Sequence, residues 1–488
     1  MMRKTLRRTK IIATMGPATN TPETVEAMIR AGVDVVRLNF SHGELEDHKA
    51  RAKLVRDASE KLGWIVGILG DLQGPKIRID RFVNGKVTIK AGDPFVLDAA
   101  FDENSGTAER VGIAYKSLPD DVYLGDDLML DDGRIVLTVT DVINRTEIHT
   151  KVIVGGELSN NKGINKRGGG ISADALSEKD KTDIKYAAEI GVDFLAVSFP
   201  RSENDLIYAR ELLRDAGSNA AIVAKVERAE AVEQPTLDAI IKASDVIMVA
   251  RGDLGVEIGD ANLPLMQKKI IKRSRQLNRA VITATQMMET MIDNTIPTRA
   301  EVFDVANAVM DGTDAVMLSG ETAVGKHPAK VVEAMANICT EAEQSASAKR
   351  SKHRLGKRFG HIDEGIAMSA MYAANHMGVK GIGALTESGA TVLWMSRISS
   401  GIPIYAMTTH KSTCRRVCMY RGVYPVWVHE KLTDPKQANI TVVEHLIEED
   451  VVGDGDLVII TKGDLVGAGT DGGTNQMKVI RVGDHHNG

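Results

Sequence analysis

Ala221-Ile222-Val223-Ala224-Lys225-Val226-Glu227 and, one turn and helix later, Asp245-Val246-Ile247-Met248-Val249-Ala250-Arg251-Gly252-Asp253 are two apolar runs that end in charge. Both have the length and β-branched content of buried strands. Strand alternation puts Lys225 and Glu227 on one face. Ionised groups are rarely buried without a task, although a structural ion pair would leave the same trace. The unit around them repeats: β-branched runs at 9–15, 34–40, 64–69, 193–198, 221–226, 245–249, 280–284 and 314–318 alternate with polar turns and helix-period segments. Eight strands with helices between them predict an α/β fold, a closed TIM (β/α)8 barrel.

One connection is too long for that pattern. About a hundred residues separate the third strand from the next helix, and a structureless loop of that length is improbable in a compact domain. Short Val/Ile/Thr-rich runs at 85–90, 128–140 and 147–154, with Asp132-Gly133 at a bend, predict a small inserted antiparallel β-barrel domain. Residues 1–72 and 173–344 then form the barrel, and 73–172 the insertion. A polar stretch at 345–357 suits a linker. Residues 358–488, with a helix at 364–377 and strands at 381–385, 402–407, 423–428 and 457–461, predict a C-terminal α/β domain.

Composition narrows the classes. The 488 residues are 43% hydrophobic and 26% charged, with a formal net charge of -5. That balance offers no signature of disorder and none of nucleic-acid or anionic-membrane partners. The apolar stretch after the basic N-terminus is cut by Gly16 and Pro17, too soon for a secretory segment, and no run reaches the ~20 residues of a membrane span. Three cysteines, Cys339, Cys414 and Cys418, are too few for a disulfide framework. A cytoplasmic enzyme is expected.

In such barrels the reactive groups come from the C-terminal strand ends. The second strand brings Arg37, Asn39 and Ser41 to one face. Glu227 and Asp253, on neighbouring strands, suit Mg²⁺ or Mn²⁺, which keep water and substrate oxygens in their remaining positions. Thr283, Thr285, Ser319 and Thr322 add hydroxyls, which also serve as ordinary helix caps. Met287, Met288 and Met291 read as core. Two glycine motifs are decoys: Gly320 to Lys326 has His327 where a phosphate loop needs Ser or Thr, and Gly467 to Gly472 lacks the βαβ unit of a dinucleotide site. Metal, cations and hydroxyls at one mouth match the needs of phosphoryl transfer.

The segments RLNFSHG (37–43), DLQGPKIR (71–78), KVERAE (225–230), ARGDLGVEI (250–258), TQMM (285–288), PTRAEVFDVANA (297–308) and MLSGET (317–322) resemble the pyruvate kinase family, in order along the whole chain. The resemblance implies phosphoryl transfer from phosphoenolpyruvate to ADP, giving pyruvate and ATP, by a barrel with a mobile lid and a C-terminal regulatory domain, assembled as a homotetramer. It implies that Lys225 stabilises the phosphoryl group in flight, Arg37 grips the phosphate, Glu227 and Asp253 hold the divalent metal, Gly252 and Asp253 bind the substrate carboxylate, and Thr285 faces the enolate. ADP would meet Asn39, Phe40, Ser41, His42, Arg78 and Lys162. Asn39, Ser41 and Asp71 match the family's potassium ligands, but Lys76 stands where potassium-dependent members carry Glu, so K⁺ is expected to be dispensable. Thr386, Glu387, Ser388, Gly389, Thr391, Gly469 and Thr474 correspond to a pocket for a phosphorylated effector, AMP or a sugar monophosphate.

Overall fold

Closure of the barrel follows from strands that are apolar on both faces. In the computed structural model, which describes residues 6–75, 77–349, 358–429, 434–463 and 473–484, the strands are Lys10–Thr14, Val35–Asn39, Gly67–Asp71, Phe194–Val197, Ala221–Val226, Val246–Ala250, Ala280–Ala284 and Ala315–Leu318. Each pairs in parallel with the next, and the eighth pairs with the first. Outward residues such as Ile11, Val36 and Leu38 pack beneath the helices, while Ile12, Leu69, Phe194, Val223, Met248 and Ile282 fill the interior. Side-chain caps at Thr21, Ser177, Ser202 and Thr298 start the covering helices.

The third strand begins later than the apolar run suggests. Gly63, at φ 67°, ends the preceding helix, and the Trp64 amide and carbonyl are both taken by Ser59. Trp64 therefore belongs to the helix exit. Pairing starts at Gly67 and extends to Asp71, a charged residue that the strand buries fully.

Between the third strand and the helix Glu178–Ile190, the inserted β-barrel takes the form of two sheets around one core. A six-stranded sheet and the ribbon Lys86–Ile89/Gly156–Ser159 share the cluster containing Ile89, Phe95, Leu128, Leu137 and Leu158. Strands of the insertion pair antiparallel except for Pro94–Asp98 with Arg110–Gly112. The bend at Asp131, Asp132 and Gly133 has positive φ throughout, which suits Asp and Gly.

The C-terminal sheet has five strands, in the order Val423–Trp427, Ile404–Thr408, Gly381–Leu385, Leu457–Lys462 and Gln476–Arg481. The strand Gln476–Arg481, antiparallel to its neighbour, adds to the four that the sequence pattern predicts for this sheet. Its inner face packs on the barrel: Ile12, Val223 and Ile282 belong to one apolar cluster with Met371, Ile382 and Val392. Within the expected linker, Ala346–Lys349 is helical, and Ala348 is buried where its carbonyl accepts from Arg8; 350–357 lie outside the described residues.

One ion pair fastens this junction. Arg397 and Asp314 are 0% and 1% exposed, and the guanidinium binds both carboxylate oxygens. Asp314 also accepts the backbone N–H groups of Val281 and Arg421, at 2.9 and 3.0 Å. Removing one partner of such a pair leaves a buried charge uncompensated. Arg397→Leu is expected to lose about 3–5 kcal/mol in urea unfolding. The double change Arg397→Leu/Asp314→Leu should recover a large part of that loss.

Candidate active site

Inward positions change character toward the C-terminal strand ends. In the fifth strand Ala221 and Val223 are followed on the same face by Lys225, then Glu227; in the third, Leu69 is followed by Asp71. Thr14, Arg37 and Ser198 continue the inward faces of the first, second and fourth strands. A polar ring thus caps an apolar barrel.

Lys225 stands at its centre. Its ammonium lies 2.9 Å from Glu227 Oε1 and 3.4 Å from Asp71 Oδ1, and it donates to Ser198 Oγ at 2.7 Å. Arg37 donates to Asp71 Oδ2 at 2.6 Å and to Thr14 Oγ1 at 3.2 Å. Burial acts to lower the Lys225 pKa, but the Asp71 and Glu227 carboxylates more than reverse it, so the ammonium stays charged. For Asp71, burial raises the pKa and the two cations overcome it, leaving the carboxylate ionised.

Glu227 is pushed up to about 7 by burial, Lys225 opposing and the neighbouring Asp253 adding to the rise. Burial raises Asp253 as well. Two repelling carboxylates fit a divalent cation, which would relieve both. No cluster of three or more His, Cys, Asp or Glu suited to a metal occurs among the described residues. A cation held by Glu227 and Asp253 would therefore complete its shell with other oxygens.

The remaining expected residues lie on neighbouring strand ends and in the inserted domain. Gly252 and Asp253 open the helix Arg251–Ile258, where backbone N–H groups lack helical acceptors. The Gly252 N–H donates to Thr285 Oγ1 at 2.9 Å, and that hydroxyl donates to the Ala284 carbonyl at 2.7 Å. Thr285 and Gln286 have φ of 67° and 54°, a strained conformation of the kind that clusters at functional turns. Arg251, unassigned from sequence, fixes that turn: it binds Asp304 with both terminal nitrogens and the Thr285 carbonyl. After the second strand, Asn39 Oδ1 accepts the Ser41 N–H at 3.1 Å, the His42 N–H reaches the Asn39 carbonyl at 3.3 Å, and Phe40 packs edge-on against His48. Arg78 bridges Gly163 in the lid, next to Lys162, whose ammonium is 2.6 Å from Asp131. Lys76 and Gly469 lie outside the described residues.

In the C-terminal domain, Thr386 Oγ1 accepts the Gly389 N–H, Ser388 Oγ accepts that of Ala390, and Glu387 pairs with His410. Thr391 and Thr474 share a hydrogen bond of 2.6 Å. The first turn of the helix Ala390–Ser396 therefore meets the segment before the last strand. Met287, Met288 and Met291 are fully buried core, and all three cysteines are buried and unbridged. The apparent phosphate loop instead starts a four-residue helix, Gly320–Ala323, whose Glu321 caps the Ser319 and Met288 amides.

Comparison with known proteins is consistent with this geometry. The pyruvate kinase barrel-domain family matches residues 6–332, and the pyruvate kinase alpha/beta-domain family matches 364–480. The chain belongs to the pyruvate kinase family. It is 58% identical to pyruvate kinase II of Salmonella typhimurium over 99% of this chain and 100% of that one. It is 58% identical to the pyruvate kinase of Haemophilus influenzae over 95% and 97%. A crystal structure of a pyruvate kinase from Cryptosporidium parvum superimposes with a TM-score of 0.90 at 32% identity, covering 98% of this chain and 96% of that one. The activity is that of a pyruvate kinase, and the family implies phosphoenolpyruvate, ADP and a divalent metal. No helix among the described residues is long and apolar enough to cross a membrane.

Glu257 joins the polar ring to the inserted sheets. Its carboxylate accepts the Ala229 N–H at 2.8 Å, two residues beyond Glu227, and its carbonyl accepts the Gly168 N–H at 3.0 Å, where the lid returns. Burial pushes its carboxyl up from 4.5 to about 7. The folded state thus holds this proton more tightly than the unfolded chain, so stability declines as pH rises between those values and is level above them. Glu257→Gln is expected to remove that decline, gaining about 1–3 kcal/mol on the parent at pH 8 relative to pH 4.5. Urea midpoints at the two pH values measure it.

Proposed function

We propose that the ring around Lys225 carries out phosphoryl transfer from phosphoenolpyruvate to ADP. The observation that carries this reading is a buried ammonium held by Asp71 and Glu227 beside Arg37. Arg37 and Lys225 bind the phosphoryl oxygens, and Lys225 neutralises the charge that spreads over them as the group moves. The bond from phosphorus to the enol oxygen breaks, and one forms to a β-phosphate oxygen of ADP. Gly252 and Asp253 hold the substrate carboxylate at the helix N-terminus, which requires the Gly252 N–H to leave Thr285. The freed Thr285 hydroxyl then lies at the enolate, where C3 takes up a proton. Mg²⁺ or Mn²⁺, when bound by Glu227 and Asp253, supplies further charge neutralisation.

Asn39, Phe40, Ser41, His42, Arg78 and Lys162 bind ADP. For Lys162 this exchanges Asp131 for a phosphate. The reaction proceeds in the cytoplasm and without K⁺: Arg37 and Lys225 already flank Asp71 with fixed positive charge, and Lys76 follows in sequence. Thr386, Glu387, Ser388, Gly389, Thr391, Gly469 and Thr474 bind AMP or a sugar monophosphate, which controls activity through the C-terminal domain. The contact between Thr391 and Thr474 supports this. Exposed Leu265 and Phe303 on the barrel helices support assembly as a homotetramer.

In a lactate-dehydrogenase-coupled assay with phosphoenolpyruvate, ADP and Mg²⁺, Lys225→Met is expected to lower kcat on the order of 10²-fold or more. Unchanged pyruvate formation would refute the role of Lys225. Chelation should abolish turnover, and added Mg²⁺ should restore it. In Tris buffer free of K⁺, full activity is expected, and titrating AMP and sugar monophosphates at low phosphoenolpyruvate should raise the rate. A Thr391→Ala variant should respond less.

A further inference from the structure

Ser198 and Phe199, which follow the fourth strand, have no part in the roles above, yet they touch two groups that do. Phe194 and Ala196 face inward, and alternation puts Ser198 next on that face. Its side chain is buried, with the residue 1% exposed. The hydroxyl donates to the Leu72 carbonyl at 2.8 Å and accepts from Lys225 Nζ at 2.7 Å. A hydroxyl has one proton. Because Leu72 takes it, only a lone pair faces Lys225, and the contact has a single polarity.

The next residue acts on the other charge. The Phe199 N–H donates to Glu227 Oε2 at 2.8 Å, with Phe199 at φ 53°. That left-handed conformation is disfavoured for an aromatic residue, and a structure keeps it only where its surroundings enforce it. Those surroundings are visible. Gly74, itself at φ 73°, lies so close that a Cβ there would meet Ser198 Cβ at 2.8 Å and the Phe199 ring at 3.1 Å. The Arg228 guanidinium also lies over the Phe199 ring, at 5.9 Å.

We propose that Ser198 and Phe199 are a positioning pair for phosphoryl transfer: the hydroxyl of one fixes the Lys225 ammonium, and the amide of the other fixes the Glu227 carboxylate. One dipeptide thereby sets the separation of cation and carboxylate in the reacting site. The inference rests on the proposed role of Lys225. Ser198 completes a three-acceptor cradle with Asp71 and Glu227, so Lys225 can turn toward a phosphoryl oxygen without losing its place. Neither residue is a catalytic group in this account.

The test compares wild type, Ser198→Ala, Ser198→Cys and Lys225→Met in two assays. One gives kcat and KM for phosphoenolpyruvate with ADP and Mg²⁺. The other follows exchange of the methyl hydrogens of pyruvate with deuterium oxide by NMR, which reads proton transfer without phosphoryl transfer. Ser198→Ala is expected to lower kcat about 10- to 100-fold with KM changed less than ~3-fold, the scale of a lost hydrogen bond to a charged group. Exchange should stay within ~3-fold of wild type, because Lys225 serves the phosphoryl step. Ser198→Cys fills the same space with a weak acceptor and should lose as much as Ser198→Ala; it also stands in should the alanine variant fail to fold. Wild-type kcat in either variant overturns the proposal, as does an equal fall in both assays. If Lys225→Met keeps wild-type turnover, the reading of Lys225 fails instead.

Discussion

A primary ammonium can remain inside a barrel only where acceptors surround it, and the mouth of this fold is organised around meeting that condition for Lys225. Its acceptors come from the third, fourth and fifth strands: Asp71, Ser198 and Glu227. The charge therefore fixes the relative register of three neighbouring strands. A slip of one residue in any of them would turn an apolar side chain toward the ammonium and bury a carboxylate or hydroxyl beneath the helices. The same condition explains why Arg37 accompanies Asp71: a buried carboxylate between two cations stays ionised.

The barrel is divided along its axis. At one end the interior is continuous with the core of the C-terminal domain, so that end is closed by apolar packing and by the Arg397–Asp314 pair. At the other, inward positions are polar and the inserted sheets stand over them. The inserted sheets reach this end through backbone as much as through side chains: Gly168 bonds to the helix that carries Asp253, and Arg228, next to Glu227, donates to the carbonyl of Ile171. The inserted sheets and the strand ends that carry Glu227 and Asp253 are thus mechanically joined.

Much of this was legible because it depends on local pattern. Alternation alone put Lys225 and Glu227 together, and the length of the third connection alone required an inserted domain. The features that were not legible depend on tertiary partners. Trp64 reads as strand by composition, but Ser59 draws it into the helix exit. Ser198 looks like an ordinary strand-end hydroxyl until Lys225 is seen against it, although alternation from Phe194 through Ala196 puts it on the inward face. The strand Gln476–Arg481 has only Ile480 buried, and it follows a glycine-rich stretch that reads as loop. The role of Arg397 has no local signal at all, since Asp314 is 83 residues away in sequence.

That separation has a consequence for biosynthesis. Translation delivers Asp314 and the whole barrel before Arg397 and Arg421 have been made, so the eighth strand must at first hold a carboxylate whose later partners do not yet exist. The apolar cluster that includes Ile12 and Ile282 is likewise incomplete until Met371, Ile382 and Val392 arrive. The nascent barrel is an open-bottomed vessel that is sealed only when the final domain docks, and until then its base is the surface on which chaperones would act.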